Sequence, residues 1–174
     1  MTNPNDKPRI LIVDDIPGNL RVAQAALGGE YELFAAINGQ KALEIAQSKR
    51  PHIILLDIMM PDMDGYEVCR RLKSDPVTSE ATILFLSSKD EVMDEVKGIM
   101  LGAADFILKP IEPTLLKTRV MGHIQRALAL QSLQKRVEQL EQRLKAGSQL
   151  AQQALAGDDQ ALPQLLAILQ VPSP

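Results

Sequence analysis

The chain has 174 residues, 45% of them hydrophobic, and a formal net charge of -3. That apolar share supplies the core of one ordinary domain with an extension and excludes disorder throughout, while the weak charge leaves no electrostatic footprint for nucleic acid or an anionic membrane. Cys69 alone excludes an internal disulfide and fits a reducing compartment; with no span-length apolar run and no signal-peptide pattern at the start, a cytoplasmic location is expected.

Arg9 to Val13 is an apolar run that reads as a first strand and ends in Asp14-Asp15. Pro17 suits the first turn of a helix that runs to about Leu27 and closes at Gly28-Gly29. Tyr31 to Ala36 is a second strand, and Asn38 is positioned to cap a helix ending near Lys49. Ile53-Ile54-Leu55-Leu56 is apolar on both faces, as suits a parallel strand covered by helices on each side, and it ends in Asp57. Asp64 or Gly65 opens the next helix, which breaks at Ser74-Asp75-Pro76. Thr82 to Leu86 is a fourth strand ending at Ser87-Ser88, followed by a helix from Lys89 to about Leu101 that Gly102 terminates. Ala104 to Leu108 is a fifth strand ending at Lys109-Pro110, and Pro113 starts a fifth helix. This alternation is the pattern of a parallel α/β fold.

In open parallel sheets, ligands bind beyond the carboxyl ends of the strands, where the strand order reverses. If the strands ending in Asp14-Asp15 and Asp57 are neighbours, three carboxylates converge. Their repulsion is relieved by a divalent cation with oxygen ligands, which points to magnesium. Ser87 and Lys109, a hydroxyl and an ammonium at the same end of their own strands, are suited to holding phosphoryl oxygens beside that cation.

The ordered set Asp14-Asp15, Asp57 with Pro61-Asp62-Met63-Asp64-Gly65, Ser87 and Phe106-Ile107-Leu108-Lys109-Pro110 resembles the receiver domain of two-component response regulators, over roughly residues 7 to 125. The resemblance implies a flavodoxin-like (βα)5 doubly wound sheet with strand order 2-1-3-4-5. It implies that Asp57 accepts a phosphoryl group from a sensor histidine kinase or phosphotransfer protein, without being a turnover enzyme. Asp15, Asp57 and the backbone carbonyl of Met59 are then magnesium ligands, with Asp14 acting through water. Lys109 and Ser87 contact phosphoryl oxygens, Ser87 and Phe106 form the switch, and Met59 and Lys89 flank attacking water and tune hydrolysis. The readout face comprises helix four, strand five and helix five.

Blander readings stand beside these. Ser88 is an alternative to Ser87, which strand register favours. Asp62-Met63-Asp64-Gly65 has a superficial likeness to a calcium loop but lacks further ligands at the needed spacing, so it reads as a turn and helix start. His123 is a helical histidine for which packing outweighs phosphotransfer, and His52 reads as a surface residue.

Beyond residue 125 the chain is rich in Leu, Gln, Arg, Lys and Glu, so helix five is expected to continue to about Lys145, for about 50 Å. Leu133, Val137, Leu140 and Leu144 have the spacing of a coiled-coil seam, with Arg136 and Glu141 at g and following e positions, and predict a parallel homodimer. The organisation expected is a receiver over 1–125, a helical extension over 126–146 and a short helical tail over 147–174. In the tail, Ala146-Gly147-Ser148 marks a break, Gln149 to Ala156 a short helix, Gly157-Asp158-Asp159 a turn and Ala161 to Gln170 a last helix. The leucines of that helix must fold back, pair with a second copy or dock elsewhere. The alternative organisation is the input module of a larger regulator such as a diguanylate cyclase, phosphodiesterase or hybrid kinase. A DNA-binding role is disfavoured, because the basic residues of the extension are interspersed with acids.

Overall fold

The computed structural model describes residues 7–88 and 95–169, in two compact units, 1–127 and 128–174. In the first unit, strands β1 (Arg9–Val13), β2 (Glu32–Ala36), β3 (Ile53–Asp57), β4 (Thr82–Ser87) and β5 (Asp105–Leu108) alternate with helices α1 (Pro17–Leu27), α2 (Gly39–Lys49), α3 (Gly65–Ser74), α4 (Glu95–Met100) and the start of α5 (Pro113–Leu155), which continues into the second. The strands pair in parallel in the order β2-β1-β3-β4-β5, as the family resemblance implied. Chain order reverses beside β1, so β1 and β3 share the crevice at the switch point.

Strand alternation divides the core into two layers. Leu11, Val13, Ile54, Leu56, Ile83 and Phe85 pack with Ala42 and Ala46 of α2 and Val68, Cys69 and Leu72 of α3. Ile10, Ile12, Ile53, Leu55, Leu84 and Leu86 pack with Leu20, Ala23 and Leu27 of α1 and Leu116, Val120 and Ile124 of α5. With helices on both faces, β3 is buried along its whole length, each apolar side chain contributing about 1.5 to 3 kcal/mol.

The predicted caps form. Asn38 Oδ1 accepts the Lys41 amide at 2.8 Å, and Asp64 Oδ1 accepts the Glu67 amide at 2.8 Å, so Asp64 caps α3 and Gly65 is its first helical residue. Gly102 has φ of +92°, the left-handed conformation expected of a helix terminator. The predicted start of helix four at Lys89 lies outside the described residues. His52 is more than a surface residue: it is half-buried, and its Nδ1 accepts the Arg9 amide at 3.1 Å, tying the start of β1 to the residue before β3.

The second unit departs from the expected break. Helix α5 runs through Ala146-Gly147-Ser148 to Leu155, absorbing the short helix expected from Gln149. The physical reason is tertiary. Gly147 is the point at which α6 (Ala161–Leu169) packs back, and a Cβ built there stands 3.7 Å from Leu165 Cδ1. The turn between the helices lies where expected, with Gly157 at φ of +92° and Asp158 Oδ1 accepting the Gln160 amide at 3.0 Å. The apolar tail helix therefore folds back. No helix among the described residues is long and apolar enough to cross a membrane.

Candidate functional site

The carboxyl ends of four strands carry the predicted acids, hydroxyl and lysine to one edge of the sheet. Val13 pairs with Leu56 across β1 and β3, so Asp14 and Asp57 leave their strands side by side. Asp14 is fully buried, and Asp57 and Ser87 are each only 3% exposed; Asp15 is half-buried. One carboxylate oxygen from each of Asp14, Asp15 and Asp57 lies within 4.8 Å of the others.

Lys109 enters this cluster from the end of β5. Its Nζ is 2.7 Å from Asp57 Oδ1 and 2.9 Å from Asp14 Oδ2, a pair of charge-assisted bonds in a water-poor setting. Burial is the largest influence on Asp57 and pushes its carboxyl above the ordinary value; the Lys109 hydrogen bond and charge pull against it, and the Asp14 charge pushes further up. Burial also opposes the Lys109 charge, yet Asp57 and Asp14 outweigh it and hold the ammonium above the ordinary lysine value. Lys109 and Asp57 each favour the other's charged form.

Asn19 is the residue that sequence reasoning missed. Its Nδ2 donates to both Asp14 oxygens at 3.0 Å, and the Ile16 amide adds 2.9 Å to Oδ1. With Lys109 on Oδ2, each Asp14 oxygen has two donors, which orients a buried charge that would otherwise be costly. The available signal was spacing, since Pro17 sets the helix start and places Asn19 in the first turn facing the residue that ends β1. Gly65 has a second role beyond opening α3: a Cβ there would overlap the Asp57 backbone carbonyl. The Gly65 amide donates to the Ile58 carbonyl at 2.8 Å, so the helix starts against the backbone of the acid itself.

The remaining predicted residues fall around this centre. The Met59 amide is 3.4 Å from Asp57 Oδ1, and its side chain is exposed. Ser87 ends β4 opposite Leu108, and alternation sets it on the face of Phe85; Ser88, one residue on, is half-buried. Phe106 lies on that same face, with its ring centroid 5.5 Å from that of Phe85. A Cβ at Gly98 of α4 would stand 2.5 Å from Phe106 Cζ, so the ring occupies space that only glycine leaves. Lys89 lies outside the described residues. His123 Nε2 is 3.1 Å from Asp105 Oδ2, which Arg119 also contacts at 2.7 Å, in keeping with a packed helical histidine.

Three carboxylates with oxygen donors alone fit a hard divalent cation. They outnumber the single ammonium, so an added positive charge relieves repulsion that Lys109 only partly neutralises. The arrangement suits binding an anionic group that brings its own oxygens, with Lys109 as its counter-charge and a buried carboxylate as its attachment point.

A family model for the response regulator receiver domain matches residues 10–121. The chain is 43% identical over 129 residues to response regulator PleD of Caulobacter vibrioides, a match covering 74% of this chain and 28% of that protein. It is likewise 43% identical over 116 residues to a probable cyclic di-GMP phosphodiesterase of Vibrio cholerae, covering 67% of this chain and 26% of the relative. Among solved structures, chemotaxis protein CheY4 of Vibrio cholerae superposes with a TM-score of 0.61 at 30% identity, over 70% of this chain and 98% of that one. The match thus spans little more than a quarter of either curated relative.

Proposed function

The chain belongs to the response regulator receiver family, and from that premise we propose that it is a magnesium-dependent phosphoacceptor whose phosphorylated residue is Asp57. The observation that carries this reading is the bridge from Lys109 Nζ to the buried Asp57 and Asp14 carboxylates at 2.7 and 2.9 Å. The partner on the donor side is a sensor histidine kinase or a phosphotransfer protein. A carboxylate oxygen of Asp57 forms the new O–P bond as the donor's N–P bond breaks, and the electron pair of that bond returns to the imidazole nitrogen. Lys109 then exchanges its bond to Asp57 for one to a phosphoryl oxygen, and the Ser87 hydroxyl donates to another. Asp15, Asp57 and the Met59 carbonyl are the residues that would hold magnesium directly and Asp14 through water, the ion supplying charge neutralisation for the transferring group. This is phosphoryl uptake and loss by one protein molecule, not turnover of a substrate.

The same contacts supply a switch. Drawing Ser87 toward the phosphoryl group opens space on its face of the sheet, and Phe106 turns into it, changing the face formed by α4, β5 and α5. Met59 and Lys89 are the residues assigned to tuning phosphoryl lifetime. Output is through protein contacts, including a homodimer through Leu133, Val137, Leu140 and Leu144. A second reading makes this receiver the input part of a longer regulator of cyclic di-GMP metabolism. It is favoured by the two relatives that extend far beyond the matched region, one of them named for cyclic di-GMP hydrolysis; expression of the full reading frame and assay for that hydrolysis tests it.

The test of the main reading is mass spectrometry after exposure to a small phosphodonor with magnesium. The intact protein gains one phosphoryl group and Asp57→Ala gains none. Labelling that survives in Asp57→Ala refutes the assignment.

A further inference from the structure

The second unit carries an apolar surface that its own fold leaves open. Helix α6 meets α5 along the flank of Arg143 and Gly147, where Arg143 Nη2 donates to the Ile168 carbonyl at 2.6 Å. The seam lies on the adjoining flank, less than a quarter-turn away at ~100° per residue. Leu133, Val137, Leu140 and Leu144 remain 60%, 52%, 55% and 76% exposed, although the tail helix has already folded back. The intramolecular cover is in place and does not cover the seam.

Helix α6 repeats the pattern. Ala161 is buried and Leu165 and Ile168 are turned toward α5, whereas Leu162 and Leu166 stay 56% and 57% exposed. Between the helices opens a cleft of about 440 Å³, bounded by Leu140 and Leu144 on one side and Leu165 and Ile168 on the other. A specific pair buries ~1,200 Å² or more in total, so the docking surface has to combine the exposed seam with the exposed outer stripe of α6.

Charge selects the occupant's direction. In a parallel pair, Arg136 at a g position faces Glu141 of the second copy at the following e position, twice by symmetry. An antiparallel pair instead sets Arg136 beside Arg143 of the second copy, a like-charge contact. We infer that the α5–α6 hairpin is a dimerisation module: a second copy of this chain docks parallel and in register on the seam, and α6 of each copy seals its edge through Leu162 and Leu166. This deepens the homodimer reading above, and it is independent of whether Asp57 takes a phosphoryl group.

The experiment is light scattering on the full chain across a wide concentration range, with helicity checked by circular dichroism. The wild type runs as a dimer, Leu140→Glu as a monomer, and Leu166→Glu weakens the dimer about tenfold or more. Leu155→Glu, past the last seam leucine at the C-terminal end of α5, leaves the mass unchanged. Cys69 is buried, so Leu133→Cys presents a single new accessible thiol, and dissolved oxygen with a copper catalyst, taking up the two electrons and two protons of a thiol pair, links two copies through an interchain disulfide when the seam is parallel and in register. A monomeric wild type, a dimer that survives Leu140→Glu, or a dimer in which Leu133→Cys forms no disulfide overturns the proposal. Phosphoryl uptake is measured separately by mass: a monomer that takes the label refutes the dimer alone, and a dimer that does not refutes only the phosphoacceptor reading.

Discussion

Replacing Lys109 with methionine keeps a stem of the same four atoms' length and removes the ammonium, leaving Asp14 and Asp57 buried together without a cation. The ammonium touches both acids, at 2.9 and 2.7 Å, and is itself 20% exposed while the Asp14 and Asp57 side chains are 0% and 4% exposed. Breaking a buried ion pair by removing one partner costs 3–5 kcal/mol, and the partial exposure of Lys109 puts the expected loss at the lower end, ~3 kcal/mol. At a urea slope of about 2 kcal/mol per molar, the unfolding midpoint falls by ~1.5 M. The assay is urea unfolding followed by circular dichroism, with chelator and again with magnesium. Burial and Asp14 both raise the Asp57 carboxyl while Lys109 lowers it, so in Lys109→Met the carboxyl lies higher still. A folded-state pKa above the unfolded one means that the native state holds its proton more tightly. The variant therefore regains stability as pH falls through that raised value toward the ordinary carboxylate range, and loses it as pH rises. Magnesium stabilises Lys109→Met more than the wild type, because no ammonium competes for the carboxylates. A variant as stable as the wild type at pH 8 in chelator, or one unresponsive to both acid and magnesium, refutes the view that Lys109 is the counter-charge of this pocket.

Asn19→Ala removes the amide that donates to both Asp14 oxygens, a loss of ~2 kcal/mol for hydrogen bonds to a buried charge, measured by thermal unfolding; Asn19→Asp is more damaging still, since it adds a fourth acid. Gly98→Ala opposes two effects: helix propensity favours it by about 1 kcal/mol, whereas its Cβ intrudes on the Phe106 ring and overpacking costs ~1–3 kcal/mol. Net destabilisation with shifted Phe106 ring resonances is expected, and combining Gly98→Ala with Phe106→Ala should show strong non-additivity, because the clash is gone. Gly65→Ala displaces the start of α3 from the Asp57 carbonyl, and phosphoryl uptake by mass should fall even where circular dichroism shows the fold retained.

Much of this protein is written locally in its residues. The unbroken apolar run of β3, the acids that end β1 and β3, the lysine that ends β5 and the Asn38 and Asp64 caps all depend on periodicity or on neighbours within a few residues. That is why strand number, parallel pairing and the acidic cluster were legible before any coordinates. What escaped were contacts between elements. Asn19 reads as an ordinary first-turn polar residue until β1 and α1 are assembled and its amide meets a buried carboxylate. Nothing in the local pattern around Gly98, or in Gly65 as a helix opener, shows that the Phe106 ring and the Asp57 carbonyl occupy the space that a Cβ needs. Gly147 reads as a break, since its intrinsic cost of about 1 kcal/mol argues against a helix, yet α5 passes through it because that residue is where Leu165 of the returning helix packs. Sequence alone determined the strands and helices up to the start of α5 and which chemical groups stand at the strand ends, because both follow from local patterning. Only the tertiary structure decided which groups touch, how Asp14 is held, and that the tail folds back while leaving its seam exposed, because close approach is a property of packed surfaces and not of spacing along the chain.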